Sequence, residues 1–170
     1  VRIPLILMGY LNPIMKFGFE AFCQKCVECG IDGVIIPDLP FKDYEETYKP
    51  IADRYDIRVI MLITPETSEA RVREIDEHTD GFIYMVSSAA TTGAQKDFDS
   101  QKQAYFKKIQ DMHLRNPRMV GFGISNKQTF DAACANSSGA IIGSRFVTLL
   151  NEAEGDAEKA ITQLKEGLKK

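Results

Sequence analysis

The chain has 170 residues and a formal net charge of −3, and its composition is 44% hydrophobic and 26% charged. These values are typical of a globular protein with one core, and they exclude the basic surface that nucleic-acid binding requires. No run of 18 apolar residues predicts a membrane span. The chain begins VRIP, which indicates a strand rather than a signal peptide. Because native chains begin with Met, we expect the native N-terminus to lie upstream.

Six apolar runs rich in β-branched residues predict strands along the chain. They occupy residues 4–8, 33–36, 59–63, 82–87, 119–122 and 140–142. The runs are apolar throughout rather than alternating with polar residues. This pattern is typical of parallel strands that are buried on both faces.

Helical patterns fill the segments between the predicted strands. They cover residues 18–29, 44–55, 68–77, 101–114, 126–135 and 156–168. Pro50 should kink or split the second of these helices. Ser125 and Gln128 have the spacing of a capping box at the start of the fifth, and residues 144–151 are long enough for an extra short helix. Strand and helix alternate without a linker, which predicts a single domain over residues 1–170.

Two helical segments show a clear apolar face. In the last helix the predicted face is formed by Ala157, Ala160, Ile161, Leu164 and Leu168. In the first, cysteines at C-x2-C-x2-C spacing permit an iron–sulfur or zinc site. The core interpretation is favoured, because two of the cysteines recur at the spacing of one helix face, with the members Phe19, Phe22, Cys23, Cys26 and Val27. We expect no metal and reduced thiols in a cytoplasmic protein.

Two glycine-containing phrases, GFGIS at 121–125 and GAIIGS at 139–144, lie where the last two predicted strands lead into helices. Glycine lets backbone N–H groups approach a phosphate closely, and a helix N-terminus adds unpaired donors. Such loops hold phosphate after the last two strands of a (β/α)₈ barrel. The alternative, a six-stranded doubly wound sheet, would place its phosphate loop after the first strand, where MGYLNP at 8–13 contains no G-x-G-x-x-G.

Five motifs in this order resemble the α subunit of tryptophan synthase. They are LMGYLNP at 7–13, PDLP at 37–40, FIYMVS at 82–87 followed by Thr92 and Gly93, GFGIS at 121–125 and GAIIGS at 139–144. The resemblance covers essentially the whole chain. It implies a (β/α)₈ TIM barrel of which this chain supplies about six βα units, from the third strand to the eighth.

The family cleaves indole-3-glycerol phosphate to indole and glyceraldehyde 3-phosphate, a retro-aldol-type cleavage that uses no cofactor. In the family a Glu at the end of the second strand and an Asp in the following loop carry the acid–base chemistry. By this mapping both lie upstream, so the resemblance implies no catalytic residue in this chain and an inactive fragment. Pyridoxal phosphate is expected only in the partner β subunit of an α2β2 complex.

The resemblance also assigns the remaining site residues. Gly93, Gly123, Gly143 and Ser144 match phosphate-binding positions, although turn formation alone would also explain the glycines. The positions near the indole are Met8, Tyr10, Tyr84 and Phe122, for which ordinary core packing is the alternative.

Three further residues match a lid and a subunit interface. Thr92 matches the lid threonine, although the segment before it departs from the family pattern and a plain surface loop is the alternative. Asn12 and Asp38 match positions at the β-subunit interface, although each would also suit a local turn.

Two other functions stay open at the level of the sequence. One is a non-catalytic fragment that binds phosphate or the β subunit. The other is a related phosphate-binding barrel enzyme, such as an epimerase or a thiamine-phosphate synthase, whose catalytic residues we expect on other strands. In each case the partners are a small phosphate-bearing molecule or a protein, with neither nucleic acid nor membrane expected.

Overall fold

A computed structural model describes residues 3–86, 95–121 and 123–169, with side chains left out for 95–99. The chain divides into two compact units. The first comprises residues 1–63 and 67–83, and the second comprises residues 64–66 and 84–170. The single domain predicted from the sequence stays a prediction.

The first unit begins with a parallel sheet and the helices that follow its strands. Its elements are β1 (Ile6–Met8), α1 (Leu11–Phe17), α2 (Phe19–Glu28), β2 (Gly33–Ile35), α3 (Phe41–Asp43), a π-helical turn (Tyr44–Tyr48), α4 (Lys49–Arg54), β3 (Arg58–Ile60), β4 (Leu62–Ile63) and α5 (Glu69–His78). The strands pair in the order β1-β2-β3, with Met8 opposite Ile35 and Ile35 opposite Ile60. Parallel pairing agrees with their apolar character.

Three local predictions in this unit need correction or refinement. The run 59–63 forms two strands, because the ladder between β2 and β3 ends at Ile60 and Met61 lies beyond it. The segment 44–55 is not split: it changes from a π-helical turn to α4 without a break, with Pro50 in the first turn of α4, where a missing N–H costs little. Helix α1 was not predicted: Asn12 and Pro13 belong to its first turn rather than to a free turn.

The cysteine-bearing helix α2 packs its thiols inward, as predicted. Phe19, Cys23 and Cys26 are buried, and the ring of Phe19 meets that of Tyr48 edge-on at a centroid distance of 4.7 Å. Val27 was wrongly placed on this face and is 51% exposed, because it lies next to the end of the helix and outside the buried stripe. All four cysteines are free thiols.

Thiol reactivity should therefore differ sharply within this motif. Burial raises the pKa of the Cys23 thiol to about 11, so little thiolate exists near neutral pH, whereas Cys29 is exposed. With iodoacetamide at pH 8, we expect Cys29 to be alkylated first and Cys23 to react only after denaturation. Peptide mass spectrometry over time measures the order. Equal labelling of the two residues in the folded protein would contradict the packing of α2.

The second unit contains the last three strands and their helices. Its elements are β5 (Ile83–Val86), α6 (Gln95–Asp111), β6 (Arg118–Gly121), α7 (Lys127–Cys134), β7 (Gly139–Ala140), α8 (Ser144–Glu152) and α9 (Ala157–Gly167). The strands lie in the order β5-β6-β7, and parallel pairs join Met119 to Gly139 and Val120 to Ala140. Helix α6 ends before the predicted residue 114, because His113 adopts a left-handed φ of 51°.

The extra helix predicted over 144–151 is present as α8, and it packs on α9. Leu149, Ala153 and Ala160 form a buried cluster that is extended by Phe146, Leu150 and Leu164. Ala157 and Ile161 were expected on the apolar face of α9 but are exposed, because the inward face follows the four-residue spacing of Ala160, which is buried, and Leu164 and Leu168, which are partly buried. Among the described helices, none is long and apolar enough to span a membrane.

Candidate functional site

The loops after β6 and β7 open at the same edge of the second unit's sheet. The two strands are parallel neighbours, and beyond the last pair the N–H of Ile141 donates to the carbonyl of Val120 at 2.8 Å. Gly123 follows β6 by two residues, and Gly143 with Ser144 follows β7 by a few more. Because parallel strands end at a common edge, three of the four predicted phosphate residues follow strand ends on the same edge of the sheet.

Helix α8 presents uncapped N–H groups at this edge. Its N-cap residue is Gly143, which forms no side-chain cap, and its first turn contains no acidic residue. Gly143 and Ser144 are both exposed. The first N–H groups of a helix have no partner within the helix and carry the positive end of its dipole. The N-terminus of α8 is therefore suited to bind an anion.

Helix α7, which starts in the neighbouring loop, is closed by its own side chains. The N–H of Thr129 donates to Asn126 Oδ1 at 2.9 Å, and the N–H of Asn126 donates to Thr129 Oγ1 at 3.2 Å. This is a capping box, but it lies one residue beyond the predicted Ser125 and Gln128 pair, because the helix begins at Lys127. Of these two helices, only α8 therefore has an N-terminus without a side-chain cap.

The two glycines of the site have different backbone requirements. Gly123 has a φ of 76°, where glycine is strongly favoured, so turn formation contributes to its presence. Gly143 has a φ of −106°, and a Cβ added there would meet nothing within 4 Å. Nothing around Gly143 in the described chain demands glycine. Its missing side chain instead keeps the approach to the start of α8 open from outside.

The ring of Tyr84 packs against Gly121 in the second unit. Its ring is buried, and burial raises the pKa of its phenol. A Cβ on Gly121 would lie 2.0 Å from Tyr84 Oη and 2.2 Å from its Cζ, so the ring occupies the space that the glycine leaves free. The importance of Gly121 was missed at the level of the sequence, where it was placed in the predicted strand 119–122 and in the glycine phrase but was given no role of its own. A small residue at the end of a buried strand was the one available signal.

In the first unit Met8 ends β1 and Tyr10 precedes helix α1, and they are 54% and 67% exposed. Their assignment to the indole pocket rather than to a core stays a prediction, whereas Tyr84 is buried. Asn12 and Asp38 are also exposed. The carboxylate of Asp38 accepts a hydrogen bond from the N–H of Leu11 at 2.8 Å, a contact that no local sequence pattern indicates.

Several predictions fall outside the residues that the structure describes. They concern Thr92, Gly93 and Phe122. In the described ranges, no group of three or more His, Cys, Asp or Glu side chains is arranged to hold a metal ion.

Parallel strands that alternate with helices and lead into glycine loops are typical of α/β barrel proteins. The model of the tryptophan synthase alpha chain family matches residues 1–170. The chain belongs to that family.

The similar proteins agree with this assignment. The chain is 80% identical to the tryptophan synthase alpha chain of Bacteroides fragilis over 165 residues, which are 97% of this chain and 62% of the relative. It is 78% identical to that of Bacteroides thetaiotaomicron over 169 residues, which are 99% of this chain and 66% of the relative. The chain thus spans about two thirds or less of these relatives' length. Identity at this level excludes the two other barrel families that the sequence left open, an epimerase and a thiamine-phosphate synthase.

Solved structures confirm the predicted fold class. The tryptophan synthase alpha subunit of Campylobacter jejuni matches with a TM-score of 0.81 and 29% identity, over 98% of this chain and 66% of that chain. The A-subunit of Pyrococcus furiosus matches equally well, over 97% of this chain and 66% of that one. These neighbours are TIM barrels, and the present chain covers part of such a barrel.

Proposed function

We propose that this chain forms the phosphate-binding part of an alpha subunit that cleaves indole-3-glycerol phosphate to indole and glyceraldehyde 3-phosphate in tryptophan biosynthesis. The observation that carries the proposal is the uncapped, acid-free start of α8 beside Gly123, in a chain of the tryptophan synthase alpha family. A phosphate at this edge would anchor one end of the substrate and leave the indole free to reach the reacting groups.

In the proposed reaction, C–C cleavage requires an acid that protonates the indole ring and a carboxylate at its N–H. We assign neither role to a residue of this chain, and expect the Glu and Asp in the third of the relatives' length that the chain does not span. We propose that the alpha subunit works without a cofactor. Its part in the present chain is to bind and orient the phosphate through Gly123, Gly143 and Ser144.

The other assigned residues complete this proposal. Tyr84, Met8, Tyr10 and Phe122 would contact the indole, and Thr92 with Gly93 would act in the lid and at the phosphate. A solved relative is described as a tryptophan synthase complex from Pyrococcus furiosus, with a TM-score of 0.78 and 26% identity. On this basis we propose a β-subunit partner in an α2β2 complex, with Asn12 and Asp38 facing it. We propose the cytoplasm as the compartment, where the free thiols would stay reduced.

The phosphate site is tested by titration of the 170-residue chain with glyceraldehyde 3-phosphate, followed by the amide NMR signals of Gly143 and Ser144. In Gly143→Asp, a carboxylate would occupy the approach to the uncapped N–H groups and repel the anion. We expect this variant to bind at least about 10-fold more weakly, the scale of one or more charge-assisted hydrogen bonds.

Gly167→Asp is the matched control, because Gly167 is also exposed and a Cβ there meets nothing within 4 Å. This variant adds the same charge at the end of α9, and we expect unchanged binding. If Gly143→Asp and the wild type bind equally, the start of α8 does not hold the phosphate. If both variants weaken binding alike, net charge rather than the site is responsible.

A non-catalytic role in binding phosphate or the β subunit is the second candidate, because we assign neither reacting carboxylate to a residue of this chain. Both candidates require the phosphate site. Turnover separates them.

A further inference from the structure

Helix α1 begins without a cap of its own. The residue before it is Tyr10, in an extended conformation with φ −89° and ψ 152°, and no side chain within the helix satisfies its first N–H groups. Tyrosine lacks the short side-chain oxygen that caps a helix start. The helix is nevertheless anchored, because Ile14 in its second turn is buried. Its first N–H groups are therefore open to water or to an acceptor from elsewhere in the fold.

Asp38 supplies that acceptor from a position 27 residues away. Its Oδ1 accepts the hydrogen bond from the N–H of Leu11 at 2.8 Å. The parallel register explains the meeting: Met8 lies opposite Ile35, and the N–H of Gly9 continues the ladder to the carbonyl of Ile35 at 3.0 Å. Leu11 and Asp38 each follow these paired residues by three. A carboxylate at a helix start also interacts favourably with the helix dipole.

We propose that Asp38 is a positioning residue, which caps α1 across the strand pair and thereby sets the backbone at Tyr10 and Asn12. These two residues flank Leu11, whose N–H is held. Tyr10 is 67% exposed and Asn12 is exposed, so their placement depends on the backbone more than on packing of their side chains. The inference rests on the proposed function only for what Tyr10 and Asn12 contact. The cap itself is independent of it.

Asp32 offers a matched comparison at the opposite end of the same strand pair. Its Oδ2 accepts a hydrogen bond from the N–H of Leu5 at 2.8 Å, also across 27 residues. The backbone N–H of Asp32 donates in return to the carbonyl of Leu5 at 2.9 Å. Removing either carboxylate deletes one bond of the same kind from the β1–β2 pair. Only Asp38 adjoins the start of α1.

The experiment compares the wild-type 170-residue chain with Asp38→Ala, Asp38→Asn and Asp32→Ala by NMR. In Asp38→Ala we expect exchange of the Leu11 amide to accelerate by about 2- to 30-fold, the range that helix caps contribute. We also expect the backbone shifts of Tyr10 and Asn12 to change. Asp38→Asn keeps an acceptor oxygen and should restore most of both effects. Asp32→Ala should leave Tyr10 and Asn12 unchanged.

Two results would overturn the proposal. One is unchanged Leu11 exchange and unchanged Tyr10 and Asn12 shifts in Asp38→Ala. The other is an equal response of these residues to Asp32→Ala, which would mean a general weakening of the sheet. If Asp38→Ala does not fold, Asp38→Glu is compared with the wild type, because its longer side chain moves the carboxylate away from the N–H of Leu11. We expect faster exchange of the Leu11 amide in this variant, and unchanged exchange with unchanged Tyr10 and Asn12 shifts would contradict the cap.

The outcomes separate this inference from the proposed function. Failure of the phosphate titration, with the Leu11 response intact, would count against the phosphate site alone. Loss of the Leu11 response, with phosphate binding intact, would count against the cap alone.

Discussion

The 170-residue chain alone is expected to cleave indole-3-glycerol phosphate at least about 10³-fold more slowly than the full-length relative from Bacteroides fragilis. The reason is that a positioned acid or base typically contributes about 10²–10⁴-fold, and we assign neither group to this chain. Indole release measures the rate. The relative is 80% identical over the matched residues, so it serves as a close positive control.

Supplying the missing groups should restore turnover. We expect activity to rise when the chain is refolded with a peptide that corresponds to the part of the Bacteroides fragilis relative it does not match. Turnover by the chain alone at the relative's rate would contradict the assignment of the acid–base pair. No gain on adding the peptide, in a complex shown to form, would favour the non-catalytic binding role.

Gly121→Ala is expected to destabilise the folded protein by about 1–3 kcal/mol, the usual cost of an overpacked core. The added Cβ would lie 2.0 Å from Tyr84 Oη, so the ring must leave its buried position or the strand must shift. Because Gly123 follows two residues later, we also expect weaker binding of glyceraldehyde 3-phosphate. Urea denaturation gives the free energy of unfolding, and titration gives the affinity.

The partners of this contact supply the controls. Gly9→Ala adds the same methyl group after a strand, but its Cβ meets nothing within 4 Å, so we expect little loss of stability. Tyr84→Phe should not rescue Gly121→Ala, because Cζ would still lie 2.2 Å from the new Cβ. Tyr84→Ala removes the ring, so the double variant should lose less than the sum of the two single losses. Additive losses would contradict the direct contact.

The local pattern of the sequence predicted most elements because it reflects short-range physics. The strands β1, β2, β5 and β6 appear as continuous apolar runs, although β1 is not buried as expected, and residues 144–151 lie within helix α8. Ends were less accurate. The run 59–63 broke where its pairing ended, and helix α1 was missed because its first turn contains a proline and lacks a local cap. Both the end of a strand pair and the cap of this helix depend on residues that are distant along the chain, which a local sequence pattern does not contain.

The candidate site divides in the same way. The sequence by itself determined the family, the order of the strands and helices, and the glycine phrases of the candidate site. These features depend on residue type and order along the chain. Only the tertiary structure decided that Tyr84 fills the space above Gly121, that Asp38 caps α1 through Leu11, and that Met8 and Tyr10 are exposed. The first two depend on contacts between residues that are distant along the chain, and the third depends on which residues lack such a neighbour. Strand register, rather than composition, brings distant residues within reach of each other.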